Sequence, residues 1–140
     1  MTSLYFDEAE IGQLRTAGPY LVSSEEIVEF ARKYDPQPFH TDEEAAARSA
    51  FAGLTASGAH TFAILISLLS KTQPYSLRII AGLGWDELRL PIPVRPGDEL
   101  NLEVAILVLL SQKVAVSGLR ESVKLHVSER AEHGSTTVIR

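Results

Sequence analysis

The segment from Gly58 to Lys71 constrains the fold more than any other part of the sequence. Large apolar residues recur along it at helical spacing, and a second side of the same helix is kept small. At about 1.5 Å per residue, the predicted helix is about 20 Å long. A helix that is apolar over most of its circumference is normally buried, so we expect the rest of the chain to cover it. The large residues are Phe62, Leu65, Ile66 and Leu69, and the small ones are Ala59, Ala63 and Ser67.

The chain after Pro74 has the pattern of extended structure. From Leu100 to Leu110, apolar residues alternate with other residues, which predicts a strand with one face buried throughout. Helices followed by a run of antiparallel strands predict an α+β fold, with one buried helix against a curled antiparallel sheet. Further strands are predicted at Leu77–Ile80, Trp85–Ile92, Val123–Val127 and Thr136–Ile139, with a bulge or bend at Gly82 and Gly84.

Two helix-start signals precede this part of the chain. Ser23 and Glu26 form an S-x-x-E capping box, and apolar residues at helical spacing follow as far as Tyr34. Thr41 to Glu44 repeats the signal as T-x-x-E, which predicts a second short helix to about residue 48.

Composition restricts the functional classes. The chain has 140 residues, 45% of them hydrophobic, which predicts a single domain over residues 1–140 with a substantial core. A net charge of −5 argues against nucleic-acid binding. The absence of cysteine excludes disulfides, thiolate nucleophiles and cysteine-ligated zinc. The apolar runs are too short to span a bilayer, so we expect a soluble, cytoplasmic protein without a membrane partner.

The stretch from Tyr34 to His40 carries the strongest chemical signal. Pro36 and Pro38 fix their own backbone and push the preceding residues towards extended conformations. Asp35 and His40 are therefore predicted on a stiffened turn and not on a helix face. Imidazole titrates near neutral pH and is the better general base, so the pair is suited to hold and deprotonate one water. The alternative is a plain helix stop with both side chains solvated.

Ser57 and Gly58 add a second element. A buried helix that begins with glycine offers unpaired N–H groups at the positive end of its dipole, which suits an oxyanion hole. The alternative is simple N-capping by Ser57. No spacing of His40, Asp42 and His60 matches a metal motif, and we predict no metal and no cofactor. Ser57 is not part of a G-x-S-x-G elbow. At its position inside the helix, His60 is more typical of a packed, hydrogen-bonded histidine than of a catalyst.

Taken together, these residues resemble the MaoC-like dehydratase family, the (R)-specific enoyl-CoA hydratases with a hotdog fold. The resemblance covers about residues 20–130. This sequence departs from the family pattern at three positions. The family commonly has Asn where Gln37 stands, an aliphatic residue where Phe39 stands, and a supporting serine where Ile66 stands. The matching parts are the D-x-x-P-x-H element of Asp35, Pro38 and His40, the Ser57-Gly58 helix start, and the segment from Trp85 to Arg89 that leads into Pro93–Asp98.

The resemblance implies an antiparallel sheet wrapped around the long central helix of a single hotdog domain. It also implies reversible addition of water to a 2-enoyl thioester, with a CoA thioester as substrate. Asp35 and His40 would activate the water, and the Gly58 N–H would bind the thioester oxygen. The predicted substrate-binding residues are Ser57, Gln37, Phe39, His60, Arg89 and Arg95, and Arg78 is a further candidate for the CoA phosphates.

Three expectations about function and assembly accompany this prediction. A hotdog sheet leaves an edge unpaired in a monomer, so we expect a homodimer or a dimer-based oligomer. A hotdog acyl-CoA thioesterase is an alternative function, but it has no obvious use for His40. A non-catalytic acyl-binding subunit is the other alternative, favoured by Gln37 and Ile66.

Overall fold

A computed structural model describes residues 2–78, 84–85, 87–110, 118–128 and 135–139. Its strands are β1 (Thr2–Leu4), β2 (Leu14–Leu21), β3 (Tyr75–Leu77), β4 (Glu99–Leu110), β5 (Gly118–Ser128) and β6 (Ser135–Ile139). Its helices are α1 (Ser24–Tyr34), α2 (Pro38–Thr41), α3 (Glu43–Ala47) and α4 (Gly58–Leu69), with a 3-10 turn at Phe6–Glu8. Four strands form an antiparallel sheet in the order β2-β4-β5-β6, and β1 pairs with β3 in parallel. The α+β class with an antiparallel sheet is confirmed, and the small parallel pair is an addition to it.

Strand β4 lies inside the four-stranded sheet and supplies much of the core. Its alternating residues Leu100, Leu102, Val104 and Ile106 are each at most 1% exposed. Its neighbours are β2 and β5, both antiparallel; Leu102, for example, is paired with Ala17 on one side and Leu125 on the other. The period-two alternation in the sequence therefore predicted the buried face of β4 correctly.

Helix α4 packs against this core with one side only. Ile64, Leu65 and Leu68 are buried in the same cluster as three inward residues of β4, which are Leu100, Leu102 and Val104. Ile66 is 43% exposed, so its predicted place on the buried side is wrong. The reason is geometric, because at 3.6 residues per turn Ile66 lies about 200° around the helix from Ile64. Ala59 and Ala63 are also exposed. One side of α4 thus faces outward in the single chain.

The helix starts differ from the predicted capping boxes. Ser23 caps α1 by accepting from the Glu26 N–H at 3.1 Å, as predicted. The Glu26 carboxylate contacts Tyr20 and His60 instead. Helix α3 is capped by Asp42 and not by Thr41, because the Asp42 carboxylate reaches the Ala45 N–H at 2.7 Å.

The segment before β4 has less regular structure than predicted. Residues 87–92 contain only an isolated bridge residue at Leu88, so the strand prediction for Trp85–Ile92 is wrong there. Pro91 and the following Pro93 lack the N–H groups that a sheet ladder needs. The predictions at residues 79–80, Gly82 and Asp86 lie outside the described residues.

The predicted turn at Pro93–Asp98 is confirmed. The Asp98 N–H donates to the Arg95 carbonyl at 3.2 Å, and Gly97 has a φ of 90°, which glycine adopts without strain. The Asp98 carboxylate also accepts from the Arg95 N–H at 2.7 Å. The turn is joined to the end of β2, since the Gly97 N–H donates to the Val22 carbonyl at 2.8 Å. Across the described part of the chain, every helix is too short or too polar to cross a bilayer.

Candidate active site

Asp35 stands at the C-terminal end of α1, where the backbone leaves the helix. Its N–H still donates to the Ala31 carbonyl at 2.9 Å, while its φ of −154° and ψ of 71° are no longer helical. The Gln37 N–H returns to the Asp35 carbonyl at 2.8 Å, which closes a tight turn around Pro36. The carboxylate is 35% exposed. It is therefore held by a fixed backbone and remains accessible to a small molecule.

His40 lies on α2, a single helical turn with Pro38 at its first position. The sequence predicted a non-helical turn for His40, and this prediction is wrong, because the residue lies in the short helix α2. The side chain is almost fully buried, and its ring meets Phe39 edge-on with ring centres 4.4 Å apart. Nδ1 is 2.6 Å from the main-chain oxygen of Thr55. A carbonyl oxygen only accepts hydrogen bonds, so Nδ1 carries the hydrogen and the lone pair of the neutral ring is on Nε2.

The Nε2 atom of His40 faces the carboxylate of Asp35. The distance from Nε2 to Oδ2 is 3.8 Å, which is too long for a direct hydrogen bond. A water about 2.8 Å from each of the two atoms would bridge them. It would donate one hydrogen to each, because a carboxylate and an imidazole lone pair both accept. The pair is thus arranged to orient one water and to take a proton from it.

The start of α4 is fixed by its cap. The Ser57 hydroxyl accepts from the His60 N–H at 3.1 Å, and the Ser57 carbonyl accepts from the Thr61 N–H at 3.0 Å. Ser57 is buried, whereas Gly58 is exposed. The first N–H groups of a helix have no partner within it, so the Gly58 N–H is available to an oxygen of a ligand. A β-carbon at Gly58 would lie 3.0 Å from Leu90 Cδ1, so glycine also makes room for that side chain.

Residues 55–57 link the side chain of His40 to the start of α4. The Thr55 carbonyl holds the imidazole, the Ala56 N–H donates to the Val94 carbonyl at 2.8 Å, and Ser57 caps the helix. All three residues are buried. The His40 ring and the Gly58 N–H are therefore fixed relative to each other through a few buried backbone atoms.

Gln37 and Phe39 both contact His40, but in different ways. Gln37 is exposed, and its main-chain oxygen accepts from the His40 N–H at 2.9 Å and from the Thr41 hydroxyl at 3.1 Å. The side chain of Gln37 does not cap α2. Phe39 lies between the His40 ring and Phe51, whose ring centre is 5.2 Å away. Their substrate-binding roles remain predictions, while their structural contribution is to hold His40.

The remaining predicted residues are engaged elsewhere. His60 is buried, with Nε2 3.0 Å from Glu26 Oε1, as expected for a packed and hydrogen-bonded histidine. Arg89 is paired with the neighbouring Glu87 at an exposed position. Arg95 donates from Nη2 to the Phe51 carbonyl at 2.6 Å. Substrate binding by these three residues stays a prediction. Within the described ranges, no three metal-ligating side chains lie close enough to form a metal site.

Sequence reasoning missed Thr55, Glu26 and Tyr20. Thr55 acts through its main-chain oxygen, which every residue possesses, so no residue type marks the position. Glu26 was assigned to the capping box, and this hid its contact with Tyr20 and His60. The only available signal was that Glu26 begins a stripe of residues that face the core.

The fold and the site define an α+β protein in which an acid–imidazole pair is linked to the exposed start of a packed helix. Residues 7–127 match the MaoC like domain. The chain therefore belongs to the MaoC-like family.

Individual proteins agree with this assignment. The chain is 40% identical over 101 residues to the uncharacterized protein YdeM of Bacillus subtilis (strain 168), covering 72% of each. It is 34% identical to a solved MaoC-like dehydratase from Rhodospirillum rubrum, with a TM-score of 0.75 over 97% of this chain and 95% of that one. The unliganded R-hydratase PhaJ1 from Pseudomonas aeruginosa, 23% identical, shares the fold with a TM-score of 0.70 over 96% of this chain and 81% of its own. These similarities support the hotdog architecture.

Proposed function

We propose that the protein is an (R)-specific enoyl-CoA hydratase, which adds water reversibly to a 2-enoyl thioester. The observation that carries the proposal is the geometry of Asp35 and His40. Nε2 of His40 is 3.8 Å from Oδ2 of Asp35, and Nδ1 is occupied by the Thr55 carbonyl. A water bound between these two atoms would have a basic nitrogen on one side and a carboxylate on the other. Membership of a family whose solved members include a dehydratase supports the same reaction class.

The steps follow from the donors and acceptors present. His40 Nε2 accepts a proton from the water, and Asp35 accepts a hydrogen bond from its other hydrogen. The water oxygen forms a bond to C3 of the enoyl thioester, and the electron pair of the double bond moves towards the thioester oxygen. The Gly58 N–H stabilises the negative charge on that oxygen. C2 then takes up the proton held by His40, which completes the addition of one water and restores the base.

The size of each contribution can be bounded. General acid–base help is typically worth about 10²–10⁴ in rate. A single oxyanion donor is typically worth about 10²–10³. Loss of either catalytic side chain should therefore be clear in kcat, even when the protein remains folded.

The assay that tests the proposal uses crotonyl-CoA and acetyl-CoA. Enoyl absorbance and free thiol are followed together after the protein is added. Loss of enoyl absorbance without thiol release supports a hydratase. Thiol release from either substrate would establish a thioesterase instead. If neither signal changes while acyl-CoA binds, the protein is a non-catalytic acyl-binding subunit and the proposal is wrong.

The first prediction concerns the two catalytic side chains. Asp35→Asn and His40→Ala should each lower kcat for crotonyl-CoA hydration by at least about a hundredfold, with a much smaller change in KM. Asp35→Asn retains the shape of the turn, so its melting temperature should stay close to that of the wild type.

Asp42→Asn is the matched control for this prediction. It removes a carboxylate two residues from His40 and keeps an N-cap residue on α3. Its kcat should equal that of the wild type. Near-normal activity of Asp35→Asn or His40→Ala, with an unaltered melting temperature, would exclude these roles.

We also propose that the sheet wraps around α4 and that two chains form a homodimer. The outward side of α4 exposes Ile66, and Trp85 and Leu88 are also about half exposed. The Trp85 ring contacts Phe62, which lies one turn before Ile66 on α4, with ring centres 5.0 Å apart, so Trp85 adds to the apolar surface beside this helix. A second copy of the chain would remove it from water.

A further inference from the structure

A second polar cluster joins β2, α1 and α4. The Tyr20 hydroxyl donates to Glu26 Oε1, and Nε2 of His60 is 3.0 Å from the same oxygen. The His60 side chain is 3% exposed and that of Glu26 is 31% exposed. One carboxylate oxygen therefore connects a strand residue to a helix residue 34 positions away from Glu26.

The two ring nitrogens of His60 differ in their hydrogen bonding, and only one of them has a partner in the described part of the structure. The Glu26 carboxylate accepts, so Nε2 carries a hydrogen. Nδ1 is buried and has no hydrogen-bond partner among the residues that the structure describes. Burying an unpaired polar atom is unfavourable, and an apolar ring would avoid that cost. What the imidazole adds at this position is its hydrogen bond to Glu26.

The cluster lies between the two elements that carry the proposed catalytic groups. His60 follows Gly58 by two residues in the first turn of α4. Glu26 and Phe30 are on α1, the helix that ends at Asp35. The Phe30 ring stacks on the His60 ring with centres 4.6 Å apart and an angle of 13°. Two side chains one turn apart on α1 thus hold a single side chain of α4.

We infer that the cluster of Tyr20, Glu26 and His60 positions the first turn of α4, and with it the Gly58 N–H, relative to Asp35. The inference rests on the proposed function for its catalytic consequence. Tyr20 and Glu26 are assigned no contact with the substrate, and the role inferred here for His60 is its bond to Glu26. The three side chains act through the Gly58 N–H, whose place relative to the water between Asp35 and His40 decides how well the growing negative charge is stabilised.

The test replaces Glu26 in two ways and uses its neighbour as the control. Glu26→Met keeps a similar volume but removes the acceptor, whereas Glu26→Gln keeps an oxygen that both donors can reach. Glu25→Met removes the same charge from the same helical turn at an exposed position. Tyr20→Phe is a further variant, since it removes one donor and keeps the ring.

The kinetic result expected for crotonyl-CoA hydration separates positioning from general stability. Glu26→Met should lower kcat about tenfold with KM changed by less than about threefold, since a small displacement of a positioned group costs this much. Glu26→Gln should remain within about threefold of the wild type, Tyr20→Phe should lie between the two, and Glu25→Met should match the wild type. Wild-type kcat in Glu26→Met, or equal losses in the Met and Gln variants, would overturn the inference.

A readout without substrate distinguishes this inference from the proposed function. The His60 and Thr61 amides are bonded to Ser57, so their hydrogen exchange reports the first turn of α4. Exchange at both should be at least about tenfold faster in Glu26→Met than in Glu25→Met. Equal exchange in the two variants would overturn the positioning role. If the wild-type protein fails to hydrate crotonyl-CoA while the two variants still differ in exchange, the proposed function is overturned and the structural role is kept.

Discussion

Tyr20 illustrates how one contact makes a residue sensitive to pH. Burial, the hydrogen bond to Glu26 and the charge of that carboxylate together raise the pKa of Tyr20 from 10.0 to about 12. The folded protein therefore holds the phenol proton more tightly than the unfolded chain does. The stability linked to this proton is fully present below the unfolded pKa of 10.0 and is lost as the pH rises towards about 12.

Tyr20→Phe should remove this part of the pH dependence. At neutral pH the variant should lose about 1 kcal/mol of unfolding free energy, the typical value of one hydrogen bond. Above pH 10.0 the free energy should fall less steeply than in the wild type, because no phenol remains at this position to ionise. Urea unfolding at a series of pH values measures both effects. Tyr34→Phe, at an exposed position of α1, is the control, and an equal change in its slope would contradict the assignment to Tyr20.

At the residue scale, the sequence indicated Asp35 and His40 as a pair through the two prolines between them, and the structure brings the two side chains within 3.8 Å of each other. The catalytic roles of Asp35, His40 and Gly58 stay predictions. Thr55 was not found, because its contribution is a main-chain oxygen. Arg95 donates to the Phe51 carbonyl, a contact that the sequence did not indicate, and its substrate-binding role stays a prediction.

At the scale of elements, the contact between β2 and β4 depends on a glycine. Gly18 has a φ of 118°, and a β-carbon there would lie 2.7 Å from the Leu100 oxygen and 2.8 Å from Asn101 Oδ1. The register between the strands shifts between Ala17 and Tyr20, around this residue. The neighbouring strand can approach this closely only because position 18 has no side chain.

Gly18→Ala should therefore be strongly destabilising. Backbone strain costs about 1–2 kcal/mol, and the contact with β4 adds overpacking of a similar size, so about 3 kcal/mol in total is expected. Gly12→Ala is the matched control, because Gly12 has a φ of 87° and open space where the methyl group would lie. It should lose only the strain energy. Urea unfolding of both variants measures the loss of unfolding free energy. Equal losses in the two variants would show that the close contact with β4 adds nothing to the cost of Gly18→Ala.

The elements predicted correctly are those whose pattern reports burial directly. Strand β4 alternates with period two, and α4 carries a run of apolar residues behind a serine cap. Residues 87–92 were predicted as a strand from residue type alone. Strand propensity measures how a side chain fits a half-buried surface, so it does not ensure that the backbone finds a partner. The outward side of α4 was missed because a dense apolar helix does not show which of its sides meets the sheet.

At the scale of the whole molecule, the outward side of α4 leads to a prediction about assembly. Ile66→Glu should convert the proposed homodimer into monomers, since a symmetric interface would receive two like charges at once. Ile11→Glu places the same charge at another exposed isoleucine and should leave the dimer intact. Light scattering at micromolar concentration measures the mass. A wild-type protein with the mass of one chain would contradict the proposed dimer.

The bond from His40 to the Thr55 carbonyl has a consequence for protein engineering. A main-chain oxygen is present whatever amino acid occupies position 55, so exchanging that side chain does not delete the acceptor. The Thr55 side chain is itself buried, with Oγ1 3.4 Å from Nδ1 of His40, so replacements of similar size are the ones expected to leave the imidazole in its orientation. Changes that displace the backbone, such as insertions between Phe51 and Ala56, would remove it. The orientation of the imidazole thus depends on the length of the loop and on the size of the side chain at position 55.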